Sequence, residues 1–237
     1  MSKTAKGAVT VSAVMLSASL LGAGGVSGNA TDDHRHHHDA AVQEEGGPEA
    51  YRHALLESLK LSMPASVEVE LQDQELVTQH GDRVNFASDV IGDRIVVMDF
   101  VYTDCTTICP ALSAVFSILQ DALGDRLGRE VFLVSVSVDP VRDTPQRLKA
   151  YADKHKARSG WEWLTGDPAA VDKVLHGMGA YASGAKQQPA MILVGDGRSG
   201  EWIRFFGFPG TDQLLAHVDA LSARRRVVAS DDFSVRE

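Results

Sequence analysis

The octet TDCTTICP, residues 103–110, holds the only two cysteines of a 237-residue chain, Cys105 and Cys109, with Pro110 directly behind them. Two thiols with three residues between them can close a disulfide if their Cβ atoms approach to roughly 4 Å. They can also exchange with another protein's disulfide, one thiolate attacking and the second sulfur resolving, or grip a soft metal ion. Copper(I), which favours soft ligands at low coordination, suits such a pair. A purely stabilising crosslink is the weakest of these uses, because so short a loop removes little entropy from the unfolded chain.

Those chemistries depend on placement. The run IVVMDFVY, residues 95–102, has the length and apolarity of a buried central strand. Beyond the cysteines, Leu112, Val115, Phe116, Leu119 and Leu123 recur at helical spacing, and Gly124 stops the run. Proline suits the first helical turn, where its missing N–H is not needed, so Pro110 predicts Cys109 as the N-cap and Cys105 in the loop above it. The helix dipole and free amides at that end lower a thiol from its usual ~8.5 and favour a thiolate. Loop exposure points to Cys105 as the attacking sulfur and the helix end to Cys109; both stay open.

The other elements follow from similar signals. VFLVSVSV, residues 131–138, reads as a second buried strand. Asp143 and Thr144 precede Pro145, and Asp167 precedes Pro168, so each proline opens a capped helix. WEWL is a short strand, AMILV and EWIRFF form a hairpin around GDGRSG, and TDQLLAHVDAL is a closing amphipathic helix. Upstream, SVEVELQDQ and GDRVNFASDV predict a β-hairpin. Alternating strands and helices predict an α/β fold. A cysteine pair between the first core strand and its helix makes it thioredoxin-like: a central mixed sheet, helices on both faces and an N-terminal β-hairpin. The domain so defined spans 64–223, with 224–237 as a tail.

Residues 1–30 read as an export signal: Lys3 and Lys6, an apolar run from Ala8 to about Ala23, and small residues at Gly28 and Ala30 before a cleavage site. The rival is an uncleaved anchor, the one circumstance in which a membrane is expected as a partner. Export places the thiols in an oxidising compartment, the periplasm or the outer face of the cytoplasmic membrane. Residues 31–63 form a His-rich linker and a short helix from about Pro48 to Ser62. In the linker, His34, His36, His37 and His38 form either an accessory site for copper, nickel or zinc or a solvated leader. The net charge of -9 argues against nucleic acid as a partner.

FVYTDCTTICP followed by VSVSVDPVRDTP, with WEWLTGD and MILVGDG after them, resembles the Sco/SenC family of thioredoxin-fold proteins, from about Ser66 to Leu221. The resemblance implies a role in assembling the copper centre of cytochrome c oxidase, with Cys105 and Cys109 binding copper or cycling between dithiol and disulfide. It implies an oxidase subunit, or another exported thiol or copper protein, as partner. The family's DPxRDTP phrase falls on Asp139, Pro140, Arg142, Asp143, Thr144 and Pro145. Helix capping by Asp143 and Thr144 and a surface charge at Arg142 would account for it equally well.

The histidine that serves the family as third copper ligand, just ahead of a strand, has no counterpart: AKQQPAMILVGDG carries Gln187 and Gln188 there. An amide oxygen is a hard, weak donor for copper(I) and lacks imidazole's protonation chemistry. Pro189 either stands where thioredoxins place a cis-proline or merely starts a strand. His53, His80, His155, His176 and His217 are expected to be surface or locally satisfied residues, with His176 the nearest to a substitute ligand. These departures shift the expectation from a three-ligand copper carrier towards a thiol-disulfide oxidoreductase. A general periplasmic oxidoreductase without copper and a peroxide-reducing thiol enzyme are the alternatives.

Overall fold

The computed structural model describes residues 63–234, the side chains of Lys186 and of 228–234 excepted. The expected export signal, the helix at 48–62, His53 and the cluster of His34, His36, His37 and His38 lie outside the described residues.

Strand β4 (Ile95–Val101) is buried along its whole length. Successive side chains of a strand point to opposite faces, so Ile95, Val97 and Val101 enter one apolar cluster while Val96, Met98 and Phe100 enter another. Strands β5 (Val131–Ser137) and β6 (Trp161–Thr165) extend the sheet in parallel on one side of β4. On the other side β7 (Met191–Asp196) and β8 (Glu201–Phe206) form the expected antiparallel hairpin. Three short strands, β1 (Ala65–Val67), β2 (Glu75–Thr78) and β3 (Arg83–Asn85), complete an eight-stranded mixed sheet in the order β1-β8-β7-β4-β5-β6-β2-β3.

The helices are α1 (Ile108–Leu123), α2 (Pro145–Lys154), α3 (Pro168–Gly177) and α4 (Thr211–Ser234). Leu112 and Phe116 of α1, Leu148 of α2, and Leu214 and Val218 of α4 fill the first cluster. Val171 and Val174 of α3, with Phe86 and Ile91 of a π-helical turn, fill the second. Both faces are therefore covered. Thr144 caps α2 by accepting the N–H of Arg147 at 3.3 Å, and Asp167 caps α3 by accepting that of Ala169 at 2.9 Å. Among the described residues, no helix is long and apolar enough to cross a membrane.

Two expectations need correction. The alternation of SVEVELQDQ does not mark a hairpin arm: only residues 65–67 pair, with β8, and the hairpin is β2 with β3. Val67, Val69 and Leu71 alternate because they pack on the second cluster, and the Glu70 N–H is satisfied by the Gly177 carbonyl at 2.9 Å. A Cβ on Gly177 would lie 2.1 Å from the Glu70 carbonyl oxygen, so the close approach requires glycine there. The stretch RRRVVASDDFS is not a tail but continues α4 to Ser234. No glycine or proline interrupts it, and Arg225 anchors it through a charge-paired double hydrogen bond to Asp196.

Because β4 is parallel to β5 and antiparallel to β7, the exits of β4 and β5 and the entry to β7 share one end of the sheet. The cysteine loop, the DPVRDT loop and the QQP segment gather there.

Candidate functional site

Leaving β4, the chain turns so that the Cys105 N–H donates to the Tyr102 carbonyl at 3.1 Å. Helix α1 starts at Ile108 with Thr107 as N-cap, and the Thr107 side chain makes no capping bond. Sulfur takes that part: the Cys109 N–H donates to Cys105 Sγ at 3.3 Å. Cys109 therefore lies inside the first turn and not at the predicted N-cap. Pro110 follows within the same turn, where a missing N–H still leaves no helical bond unmade. Both cysteines are free thiols. Neither is exposed, at 6 % for Cys105 and 3 % for Cys109, so the exposure expected of Cys105 is not found.

The two sulfurs are electrostatically unlike. Burial alone would raise the Cys105 thiol, but hydrogen bonds from the Cys109 thiol, the backbone N–H groups of Cys109 and Thr107, and the Tyr102 hydroxyl outweigh it and bring its pKa down to about 7. Cys109 goes the other way: burial first, then its hydrogen bond and charge interaction with Cys105, push its thiol well above the ordinary range. Tyr102 is also raised, to about 12, by burial and by its bond to Cys105, so it stays a donor. Cys105 therefore titrates to the thiolate around neutral pH while Cys109 keeps its proton.

The cysteine loop is tied to the DPVRDT loop. Asp143, 1 % exposed, accepts the Thr103 N–H at 3.2 Å, the Thr103 hydroxyl at 2.6 Å and the Ser137 hydroxyl at 2.6 Å. Arg147 donates to Thr103 Oγ1 from Nε and Nη2, at 3.1 and 2.9 Å, and pairs with Asp104. The capping role expected of Asp143 falls to Thr144 alone, while Asp143 fastens the approach to Cys105. Arg142 is exposed and pairs with Asp139, as a surface charge would.

Gln187 is exposed and Gln188 buried, at 6 %. Among the described residues, neither Gln188 amide atom has a hydrogen-bond partner. Among the described residues there is no cis peptide bond, so Pro189 does not reproduce the thioredoxin cis-proline; exposed, it simply leads into β7. The described histidines have local partners: His80 meets Gln79, His155 packs on Tyr151, His176 stacks on Tyr181 at 3.9 Å, and His217 meets Phe205. His176 is thus engaged with an aromatic ring. Among the described residues, no group of three His, Cys, Asp or Glu side chains is placed to hold a metal.

One buried group escaped the sequence reading. Asp99 lies fully buried in β4 and accepts the Ser135 hydroxyl at 2.6 Å. Its signal was present as a lone carboxylate within IVVMDFVY. A charged residue in a wholly apolar strand is costly and calls for a reason.

A sheet of this order, with two thiols at the junction of its central strand and a helix, defines a thioredoxin-like protein. The family model described as SCO1/SenC matches residues 65–197, and the chain belongs to that family. An SCO1 protein homolog of Bacillus subtilis (strain 168) is 33 % identical over 104 residues, covering 44 % of this chain and 51 % of that protein. The chain thus spans about half the length of that curated relative. The structure of Bradyrhizobium japonicum ScoI with copper bound is 26 % identical with a TM-score of 0.52, over 62 % of this chain and 96 % of that one. BsSco, described as a member of the Sco family of cytochrome c oxidase assembly proteins with a disulfide switch, shares the fold. It is 23 % identical with a TM-score of 0.57, over 68 % of this chain and 98 % of its own.

Proposed function

We propose that the chain is an exported Sco-type protein that acts in assembling a copper centre, of the cytochrome c oxidase kind, through Cys105 and Cys109. The asymmetry of the two sulfurs carries the reading. A thiolate near neutral pH beside a retained proton is what a dithiol reductant requires. Cys105 attacks a disulfide of an exported partner, such as the paired cysteines of an oxidase copper site. One partner sulfur leaves as a thiolate with the bonding electrons, and a mixed disulfide forms at Cys105. Cys109 then gives up its proton to a released partner thiolate, displaces the second partner sulfur, which leaves with the electrons of the mixed disulfide bond, and closes the Cys105–Cys109 disulfide. The partner is reduced to a dithiol and this chain is oxidised.

Family membership and the likeness to copper-bound ScoI support copper as the cargo. The donor set qualifies how it is held. Two thiols fit a two-coordinate copper(I), and Gln188 stands where the resemblance implies a histidine. Copper(I) therefore rides on Cys105 and Cys109 as transferable cargo, with His34, His36, His37, His38 or the partner as accessory donors. Reading residues 1–30 as a signal puts this chemistry in the periplasm or at the outer face of the cytoplasmic membrane.

The deciding experiment is a copper(I) competition titration on the reduced protein, with and without residues 31–47, beside Gln188→His, with exchange against a model disulfide measured in parallel. The expected result is exchange that disappears in Cys105→Ser, and tighter copper binding by Gln188→His than by the natural sequence. Equal affinity of the two without the leader would remove the argument from the missing ligand. Absence of both exchange and copper binding would remove the function.

A further inference from the structure

Arg204 on β8 is a cation with a shaped seat and no counter-charge. Its Nη2 donates to the Met178 carbonyl at 3.4 Å, and its guanidinium stands over the Phe206 ring at 5.9 Å. Gly179, at φ +61°, makes room for it: a Cβ there would collide with Arg204 Nη2. Yet Arg204 Nε is buried without a hydrogen-bond partner, and no carboxylate among the described residues pairs with the side chain. A half-buried guanidinium without an anion is unfavourable, and a carboxylate is the group that its fork of N–H donors fits. Apolar side chains frame the site. Ala65 of β1 faces Arg204 in the antiparallel register, so Met63, two residues earlier, comes level with Phe206. Met63, Phe206 and Tyr181, which follows Gly179 by two residues, are all exposed.

We propose that Arg204 is a carboxylate-binding site, and that its occupant is the segment of this chain directly upstream of Met63, bound through Glu57. The described residues begin at Met63, so the segment departs from the rim of the site itself. Glu57 is the nearest upstream carboxylate, and Leu59 and Leu61 stand between it and Met63. The six steps from Glu57 to Met63 span at most ~20 Å of extended chain and ~9 Å of helix, so either form brings the carboxylate within reach. The tether makes the encounter intramolecular, at an effective concentration of about millimolar that a carboxylate on a separate protein has to exceed. Leu59 and Leu61 then take the exposed surface of Phe206 and Tyr181 out of water while Glu57 supplies the missing charge. Phe206 pairs with Met191, the first residue of β7, so the site lies at the thiol end of the sheet. Docking there fixes where the upstream chain joins the domain and leaves Cys105 and Cys109 uninvolved.

Trypsin tests this on the full chain, because Lys60 lies inside the segment. Cleavage after Lys60 is followed by mass spectrometry, and each chain is compared with a free peptide of its own residues 48–64. Where docking is fast relative to cleavage, the rate follows the undocked population. The natural chain is expected to be cut at least about 10-fold more slowly than its peptide. Glu57→Gln and Arg204→Gln should each raise the rate about 10-fold, and the double variant should raise it no further, because both changes remove the same pair. A natural chain cut as fast as its peptide overturns the docking. Full protection in Glu57→Gln overturns it as well, including the case in which Arg204 serves a partner's carboxylate, and so does a double variant in which the two effects add. If Arg204→Gln does not fold, Glu57→Gln decides alone, since that residue lies outside the described fold.

Discussion

Cys105 Sγ accepts the backbone N–H of Cys109 at 3.3 Å, so one sulfur both terminates helix α1 and carries the reactive charge. A negative sulfur at a helix N-terminus is favoured by the amides and dipole there. For the exchange proposed above this favours a division of labour that sequence alone leaves open, with Cys105 as the attacking sulfur and Cys109 as the resolving one.

Alkylation checks that division. Cys105 is expected to react with iodoacetamide with an inflection near pH 7, while Cys109 stays slow across the same range. Tyr102→Phe removes one donor to the thiolate and should move the inflection upward. Mass mapping of the labelled cysteine against pH measures both effects, and preferential labelling of Cys109 would contradict the assignment.

Asp143 should matter more than a helix cap. Asp143→Ala strands the Thr103 and Ser137 hydroxyls and the Thr103 N–H, a loss of about 2–3 kcal/mol by denaturant unfolding. Arg147→Ala breaks the exposed pair with Asp104 and should cost less than about 1 kcal/mol. Equal losses in the two variants would contradict the clamp.

Asp99 imposes a pH dependence on stability. Its folded carboxyl is raised by burial from an ordinary 3.8 to about 7, so the unfolded chain gives up the proton first. The contribution of Asp99 to stability is then fully present below about pH 4 and lost as pH rises towards 7, up to about 4 kcal/mol for a shift of this size. Asp99→Asn should therefore be more stable than the natural chain at pH 8, and the difference should vanish in acid. Urea melts at a series of pH values measure it.

Asp196 shows the opposite sign. Burial would raise its carboxyl, but Arg225 and the N–H groups of Arg198 and Ser199 hold it below the ordinary value. Its stabilisation is present above the usual carboxylate range and lost as pH falls through it. Arg225→Ala leaves a buried carboxylate without its charge partner, held only by two backbone N–H groups, and should cost about 3 kcal/mol at neutral pH, less in acid. A loss that does not change between neutral and acid melts would exclude this pair as its cause.

The strands and helices that build the thiol end were legible because local signals agreed: apolar runs for β4 and β5, capping residues before Pro145 and Pro168, and helical spacing through Phe116. The hairpin was misplaced because Val67, Val69 and Leu71 alternate for burial and not for pairing. The end of α4 was missed because its anchor, Asp196, lies 29 residues away in the chain. The same limit hid the clamp: Asp143 meets Thr103 across 40 residues, and no spacing rule predicts such a contact. The cysteines could be found by type and position, but which one keeps its proton depends on Tyr102, burial and the exact start of α1.

Strand β7 runs from the thiol end to Asp196, and Arg225 of α4 docks at that far pole. The distal part of α4 is therefore moored at the pole opposite the sulfurs. A fluorophore or tether attached to α4 just past Arg225 would report on the body of the protein while leaving the approach to Cys105 clear, so encounters with a partner could be watched without obstructing them.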